Sequence, residues 1–110
     1  MKICNGTLKD LVDNLDIIRQ YIPEKADLTE DEIFERLNNK KYGIKLAVDN
    51  SIKGIMVWYD HNNSLYLWLG VVINSSKGIG TEMVKNILSE EKYQRYYAKV
   101  NPNNKIAEMW

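Results

Sequence analysis

Gly78-Ile79-Gly80-Thr81 stands between an apolar run, Leu65 to Ile73, and an amphipathic stretch that continues to Leu88. Glycines at such a junction let backbone come close to a ligand. The first turn of a helix starting there carries N–H groups that have no intrahelical partner. Those donors, at the positive end of the helix dipole, suit an anion such as phosphate. The same pair also serves a tight strand-to-helix turn that needs glycine only for its dihedrals, and a single G-x-G leaves both readings open. A nucleotide site of the P-loop type is disfavoured, because Lys77 precedes the glycines and no Gly-Lys-Ser/Thr follows.

The elements that must position this junction follow from periodicity. Lys2 to Leu8 reads as a short edge strand. Leu8, Leu11, Val12, Leu15, Ile18 and Ile22 then recur at helical spacing up to Pro23. Thr29 with Glu32 three residues on predicts a capping box and a second helix through Ile33, Phe34 and Leu37, ending at Asn38-Asn39. Tyr42 to Val48, Ile52 to Tyr59 and Leu65 to Ile73 read as an antiparallel meander turning at Asp49-Asn50-Ser51 and at Asp60 to Asn63. After the helix bearing Ile79, Met83, Val84, Ile87 and Leu88 comes a strand, Arg95 to Val100. A last helix capped at Asn103 or Asn104 is predicted to carry Ile106, Met109 and Trp110. The order β-α-α-β-β-β-α-β-α is that of an α/β (α+β) fold with a mixed, mostly antiparallel sheet flanked by helices on both faces. A right-handed crossover puts the third meander strand and the strand after the Gly80 helix in parallel. Ligands in such sheets bind beyond the carboxyl ends of strands, where residues 74–80 fall.

A chain of 110 residues predicts one domain, spanning 1–110, with one core. Fifteen Lys and Arg against fifteen Asp and Glu leave no net charge, so nothing in the composition recruits nucleic acid or an anionic membrane. The one cysteine, Cys4, cannot form an internal disulfide and reads as an inert core thiol. With no signal pattern and no apolar run of membrane-spanning length, the chain reads as cytoplasmic.

Two motifs and their separation by one helix and one strand give a resemblance. The strand-loop-GxG-helix resembles the pyrophosphate signature of the GCN5-related N-acetyltransferase (GNAT) superfamily. Val100-Asn101-Pro102-Asn103-Asn104-Lys105-Ile106-Ala107 is similar to its strand end followed by an Asn that opens a helix. The resemblance implies acetyl transfer from acetyl-coenzyme A to a primary amine of a small molecule or peptide. It implies backbone N–H groups of Ser76, Lys77, Gly78, Ile79, Gly80 and Thr81 on the pyrophosphate, with the Lys77 charge beside them. Val71 and Ile73 would meet the pantetheine amides, Asn104 would reach the same arm, and a backbone N–H near Val71 or Val72 would hold the oxyanion. No metal is implied. A non-catalytic acyl-CoA-binding module on the same fold is the alternative.

The catalytic base is unassigned, with Glu32, Asp31, Asp60 and His61 as candidates. Glu32 also has a capping role, and His61 lies in a polar turn that suits a solvated residue. Gly70 marks either a bulge or close backbone approach that opens the sheet to a ligand, or a packing gap under an aromatic ring. Trp58, Tyr59, Tyr66 and Trp68 either line an acceptor pocket or belong to the core. The family pattern has Arg or Gln where Ser75 stands and a longer loop before Gly78, which implies a looser hold on the diphosphate here. Trp110 falls about where the family's general-acid tyrosine is due, and the family's final strands are missing. A fragment, a naturally minimal form, or a homodimer that completes the sheet in trans would each account for this.

Overall fold

Two threonines fix where the first helices begin. The Thr7 hydroxyl accepts from the Asp10 N–H at 3.1 Å and the Asp10 carboxylate accepts from the Thr7 N–H at 2.8 Å, a complete capping box. At Thr29 only half of the predicted box forms, with its hydroxyl accepting from the Glu32 N–H at 3.2 Å. Caps of this kind are worth about 1 kcal/mol each. The computed structural model describes residues 2–73, 78–100 and 105–108. In chain order these form β1 (Lys2–Asn5), α1 (Leu8–Asp13), α2 (Leu15–Tyr21), a 3₁₀ turn (Pro23–Lys25), α3 (Glu30–Leu37), β2 (Tyr42–Asp49), β3 (Ser51–His61), β4 (Ser64–Val72), α4 (Ile79–Glu90), β5 (Tyr96–Val100) and β6 (Lys105–Glu108).

The helix expected from Leu8 to Ile22 is broken in two. Asn14, at φ −112° and ψ 20°, leaves helical geometry while its amide donates to the Asp10 carbonyl at 2.7 Å. A short polar side chain that bonds back to the preceding turn competes with helix continuation. The apolar spacing survives the break, and Leu11, Leu15 and Ile18 remain buried on one side.

The sheet has the order β1-β2-β3-β4-β5-β6, antiparallel throughout except for β4 with β5. Both meander turns rest on asparagines that accept positive φ. Asn50 sits at 63°, and Asn62 and Asn63 at 53° and 65°, the pair required by a type I′ hairpin. Residues 105–108 are a correction to the sequence reading, which placed a helix there. They pair antiparallel with β5, from Val100↔Lys105 to Tyr97↔Glu108. A helix that short has little intrinsic stability, whereas the edge of β5 offers a row of unmet backbone partners. That edge is thus paired within the chain. Asn103 and Asn104, the predicted caps, and Met109 and Trp110 lie outside the described residues.

Alternation along the strands feeds two cores. Ile44, Leu46, Ile55, Val57, Tyr59, Leu69 and Val71 face α1, α2 and α3, while Ala47, Met56, Trp58 and Leu65 face Ile79, Met83 and Ile87 of α4. Both faces are therefore covered by helices, as the apolar pattern predicts. Cys4 is partly buried against the first core. Two glycines make room for close packing on the α4 side. A Cβ on Gly54 would lie 2.7 Å from the Met83 sulfur, and one on Gly43 would lie 2.4 Å from the Trp58 indole nitrogen. At the far end of α4, the buried Lys45 Nζ donates to Glu90 Oε2 at 2.6 Å and to Asn5 Oδ1 at 2.5 Å, joining β1, β2 and the helix C-terminus.

Gly43→Ala is expected to lower stability by about 1–3 kcal/mol, because the indole it would strike is itself fixed in the core. Urea unfolding measures this directly. A loss below a few tenths would mean that Trp58 repacks without cost.

Candidate functional site

α4 begins at Gly78, whose φ of 85° is left-handed, and no described side chain caps it. A Cβ there would meet nothing within 4 Å, so only the dihedral calls for glycine. The first amide of this turn to reach a described carbonyl is that of Glu82, which donates to Gly78 O at 2.9 Å. Among the described residues, the N–H groups of Ile79, Gly80 and Thr81 have no carbonyl partner and are the first-turn donors a ligand could meet. Gly80 has a different reason for being glycine. Its φ is not left-handed, and an added Cβ would make ordinary contact with Val72 Cγ2 at 3.4 Å. Neither dihedral nor packing demands glycine at that position. Ser76, Lys77 and Asn104, which the resemblance assigns to the coenzyme, lie outside the described residues.

Upstream of this turn the sheet opens. β4 pairs with β5 at Leu65↔Tyr96, Tyr66↔Tyr97 and Leu67↔Ala98, and the register ends there while β4 runs on to Val72 and β5 to Val100. The cause is one extra residue. On β3, Val57 faces Leu69 and Trp58 faces Leu67, so Trp68 is the bulged residue. Trp68 and Leu69 consequently both turn toward the α1–α3 core. Gly70 is neither the bulge nor a gap under a ring. Gly70 is registered opposite Met56 and exposed, with 4.0 Å to the nearest atoms that a Cβ would meet. Beyond Leu67, alternate residues of β4 present backbone donors and acceptors to the opening. Val71 is buried, and Val72 and Ile73 are half-buried.

On the α3 side, beside the last paired positions, lies a cavity of ≈ 800 Å³. Arg36 enters it from α3, Tyr59 and His61 from β3, Tyr66 from β4, and Arg95 and Tyr97 from the start of β5. Its volume is that of a small-molecule site. The Arg36 guanidinium donates to the Tyr59 hydroxyl at 3.2 Å, and Arg95 donates to the Tyr97 hydroxyl at 2.9 Å. Tyr59 meets Tyr66 edge to face at 5.3 Å. Burial pushes the Tyr66 phenol above its ordinary range and the neighbouring Tyr59 adds to this, while the Arg36 charge opposes them.

Of the candidate bases, His61 lines this cavity. Asp60 is turned to the α4 side, where its carboxylate accepts from the Asn63 N–H at 3.2 Å and from the Tyr93 hydroxyl. Glu32 lines an adjoining pocket with Glu35, Arg36 and Trp68. The aromatic residues divide. Trp58, Tyr59 and Trp68 are buried, while half-buried Tyr66 faces the cavity. Arg36, Arg95 and Tyr97 had no signal in the sequence, because separate elements bring them together.

No protein-family model matches this sequence, and no curated protein matches it. Solved structures do. An aminoglycoside 6'-N-acetyltransferase complexed with coenzyme A is 23% identical with a TM-score of 0.67, over 89% of this chain and 61% of that one. Tetrahymena GCN5 is 11% identical with a TM-score of 0.67, over 92% of this chain and 71% of that one. The PaiA N-acetyltransferase of Thermoplasma acidophilum, also in complex with coenzyme A, is 14% identical with a TM-score of 0.65, over 96% and 83%. The likeness is one of fold, the fold of the GNAT acetyltransferases. Among the described residues no helix is long and apolar enough to cross a membrane.

The two glycines of the turn are expected to respond differently to alanine. Gly78→Ala should cost about 1–2 kcal/mol through its left-handed φ, whereas Gly80→Ala stays within about 0.5 kcal/mol of wild type in urea unfolding. Equal losses at the two sites would contradict the division of labour. Tyr93 is pushed up to about 12, first by burial and then by the hydrogen bond and charge of Asp60. The unfolded phenol loses its proton near 10, so this group's contribution to stability is present below that pH and is lost as pH rises toward 12. Asp60→Asn should lower the Tyr93 midpoint in an ultraviolet titration yet leave it above 10, since burial remains. A midpoint that does not move would remove Asp60 from the account.

Proposed function

We propose that this chain, as one domain on the GNAT acetyltransferase fold, takes acetyl-coenzyme A and transfers the acetyl group to a primary amine. The observation that carries the reading is a juxtaposition. A helix start capped by no described side chain, with a glycine that packing against the described residues does not require, follows within a few residues a strand that has parted from its parallel neighbour. Coenzyme A has the matching chemistry, a diphosphate joined to an arm of two amides. Ile79, Gly80 and Thr81 would meet the diphosphate with backbone N–H groups, and a Cβ at position 80 would stand closer to it than hydrogen does. Backbone groups between Trp68 and Val72 would bond the amides as a further strand bonds a sheet. Ser76, Lys77 and Asn104 stay assigned to the same ligand through the resemblance.

The thioester supplies an activated carbonyl carbon. A deprotonated amine nitrogen bonds to that carbon, the carbon–sulfur bond breaks with its electron pair on sulfur, the nitrogen gives up a proton and the thiolate takes one up. A backbone N–H at Val71 or Val72 would serve as the donor to the oxyanion. His61 is the candidate base whose ring shares the cavity at the mouth of the opening. Glu32 and Asp60 would act only through water.

Calorimetric titration with acetyl-coenzyme A tests the reading. Micromolar binding is expected, abolished by Gly78→Glu and kept within about threefold by Gly78→Asn, since Asn tolerates left-handed φ. Thiol release on adding amines then separates the enzyme from the alternative of a non-catalytic binding module. Failure of the folded wild-type chain to bind would overturn the proposal.

A further inference from the structure

We propose that the cavity on the α3 side is the acceptor site and that it selects a small amine that also carries a carboxylate, read by Arg36. This rests on the acyl-transfer reading above and names its substrate class. Position comes first. Tyr66 and Tyr97 face each other across the parallel pair and both line the cavity, one register step before the strands part at Leu67↔Ala98. An amine held there lies next to the opening through which a thioester would arrive.

Charge decides the substrate class. Arg36 and Arg95 line the cavity as cations, and none of its lining residues is acidic among the described residues. Lys40 adds a further positive charge 5.1 Å from the Tyr59 ring. Among the described side chains, the acids nearby point elsewhere. Asp60 is on the opposite face, and Glu32 and Glu35 line the pocket on the other side of Arg36. A purely cationic amine would find no carboxylate among the described lining residues, only guanidinium groups, neutral polar side chains and aromatic rings.

Arg36 is the group fitted to read the anion. It forms no ion pair among the described residues, although Glu32 stands one turn back on the same helix. Its guanidinium is held by the Tyr59 hydroxyl and lies 5.1 Å from the Trp68 ring centroid. A fork fixed from two sides and lacking a carboxylate suits bidentate recognition of one supplied by a ligand. With the carboxylate on Arg36, the amine nitrogen of the same molecule is left to attack. It forms the new carbon–nitrogen bond as the carbon–sulfur bond breaks, its proton passing to solvent or His61 and another joining the departing thiolate.

The test titrates the chain, already saturated with coenzyme A, with amines that differ only in a carboxylate: lysine against cadaverine, and phenylalanine against phenethylamine. The carboxylate-bearing member of each pair is expected to bind at least roughly tenfold more tightly. Arg36→Gln should remove that preference and Arg36→Lys should retain part of it, both with wild-type thermal unfolding and unchanged affinity for coenzyme A. Tighter or equal binding of the decarboxylated amines, no binding of either, or an Arg36→Gln variant that keeps the preference would each overturn the assignment. A wild-type chain that fails to bind coenzyme A in the first titration would instead overturn the acyl-transfer reading beneath it.

Discussion

One extra residue in β4 governs both the packing of the sheet and the opening beside it. With Trp68 unmatched against β3, Trp68 and Leu69 turn to the same face, and every later residue of β4 is reversed relative to a regular strand. Leu69 and Val71 thereby enter the α1–α3 core, where they are buried, and Gly70 and Val72 turn toward α4. A bulge also bends its strand and strengthens the local twist. β4 and β5 hold their parallel register only up to the residue before Trp68. Removing the extra residue would close the opening and turn Leu69 and Val71 out of their core in one step, so the site and the fold rest on the same irregularity.

α4 is held against that sheet by contacts that leave little slack. Gly54 brings β3 within side-chain distance of Met83, which is fully buried, and the helix's far end is tied through Glu90 to Lys45 and Asn5. Burying a lysine costs several kcal/mol in desolvation, which its two close hydrogen bonds offset but do not turn into a large net gain. What the pair adds is position, since removing either partner would leave a buried charge or a loose helix end. A helix anchored at Met83 and at Glu90 points its N-terminus in one direction. Rigid donors of that kind lose little on meeting an anion.

Much of this was legible in the sequence where local chemistry decides. Thr29 caps a helix, Asn50, Asn62 and Asn63 lie in the expected turns, and the apolar alternation of β2 to β4 gives the meander and both covered faces, whereas Thr7, expected in a strand, caps α1. It was less legible where tertiary context decides. The strand at Lys105–Glu108 exists because β5 offers an edge, which no local pattern records. The bulge falls on Trp68 rather than on the glycine two residues later, because core packing rather than backbone freedom selects it. The glycine pair pointed to the junction, but only the structure separates Gly78, needed for its dihedral, from Gly80, which is not. Of the cavity, Tyr59, Tyr66 and His61 were named from the sequence, but Arg36 and Tyr97 were not, because they are far apart along the chain and meet only through the register of β3, β4 and β5.

The central claim is that the opening between β4 and β5, together with the start of α4, forms one continuous coenzyme site. Amide chemical shifts in a ¹⁵N spectrum recorded with and without coenzyme A test it most directly. The account predicts saturable shifts at Ile79, Gly80 and Thr81 together with residues between Trp68 and Val72, with one shared affinity. Shifts confined to one of the two segments, or centred on the far end of α4 near Glu90, would contradict it.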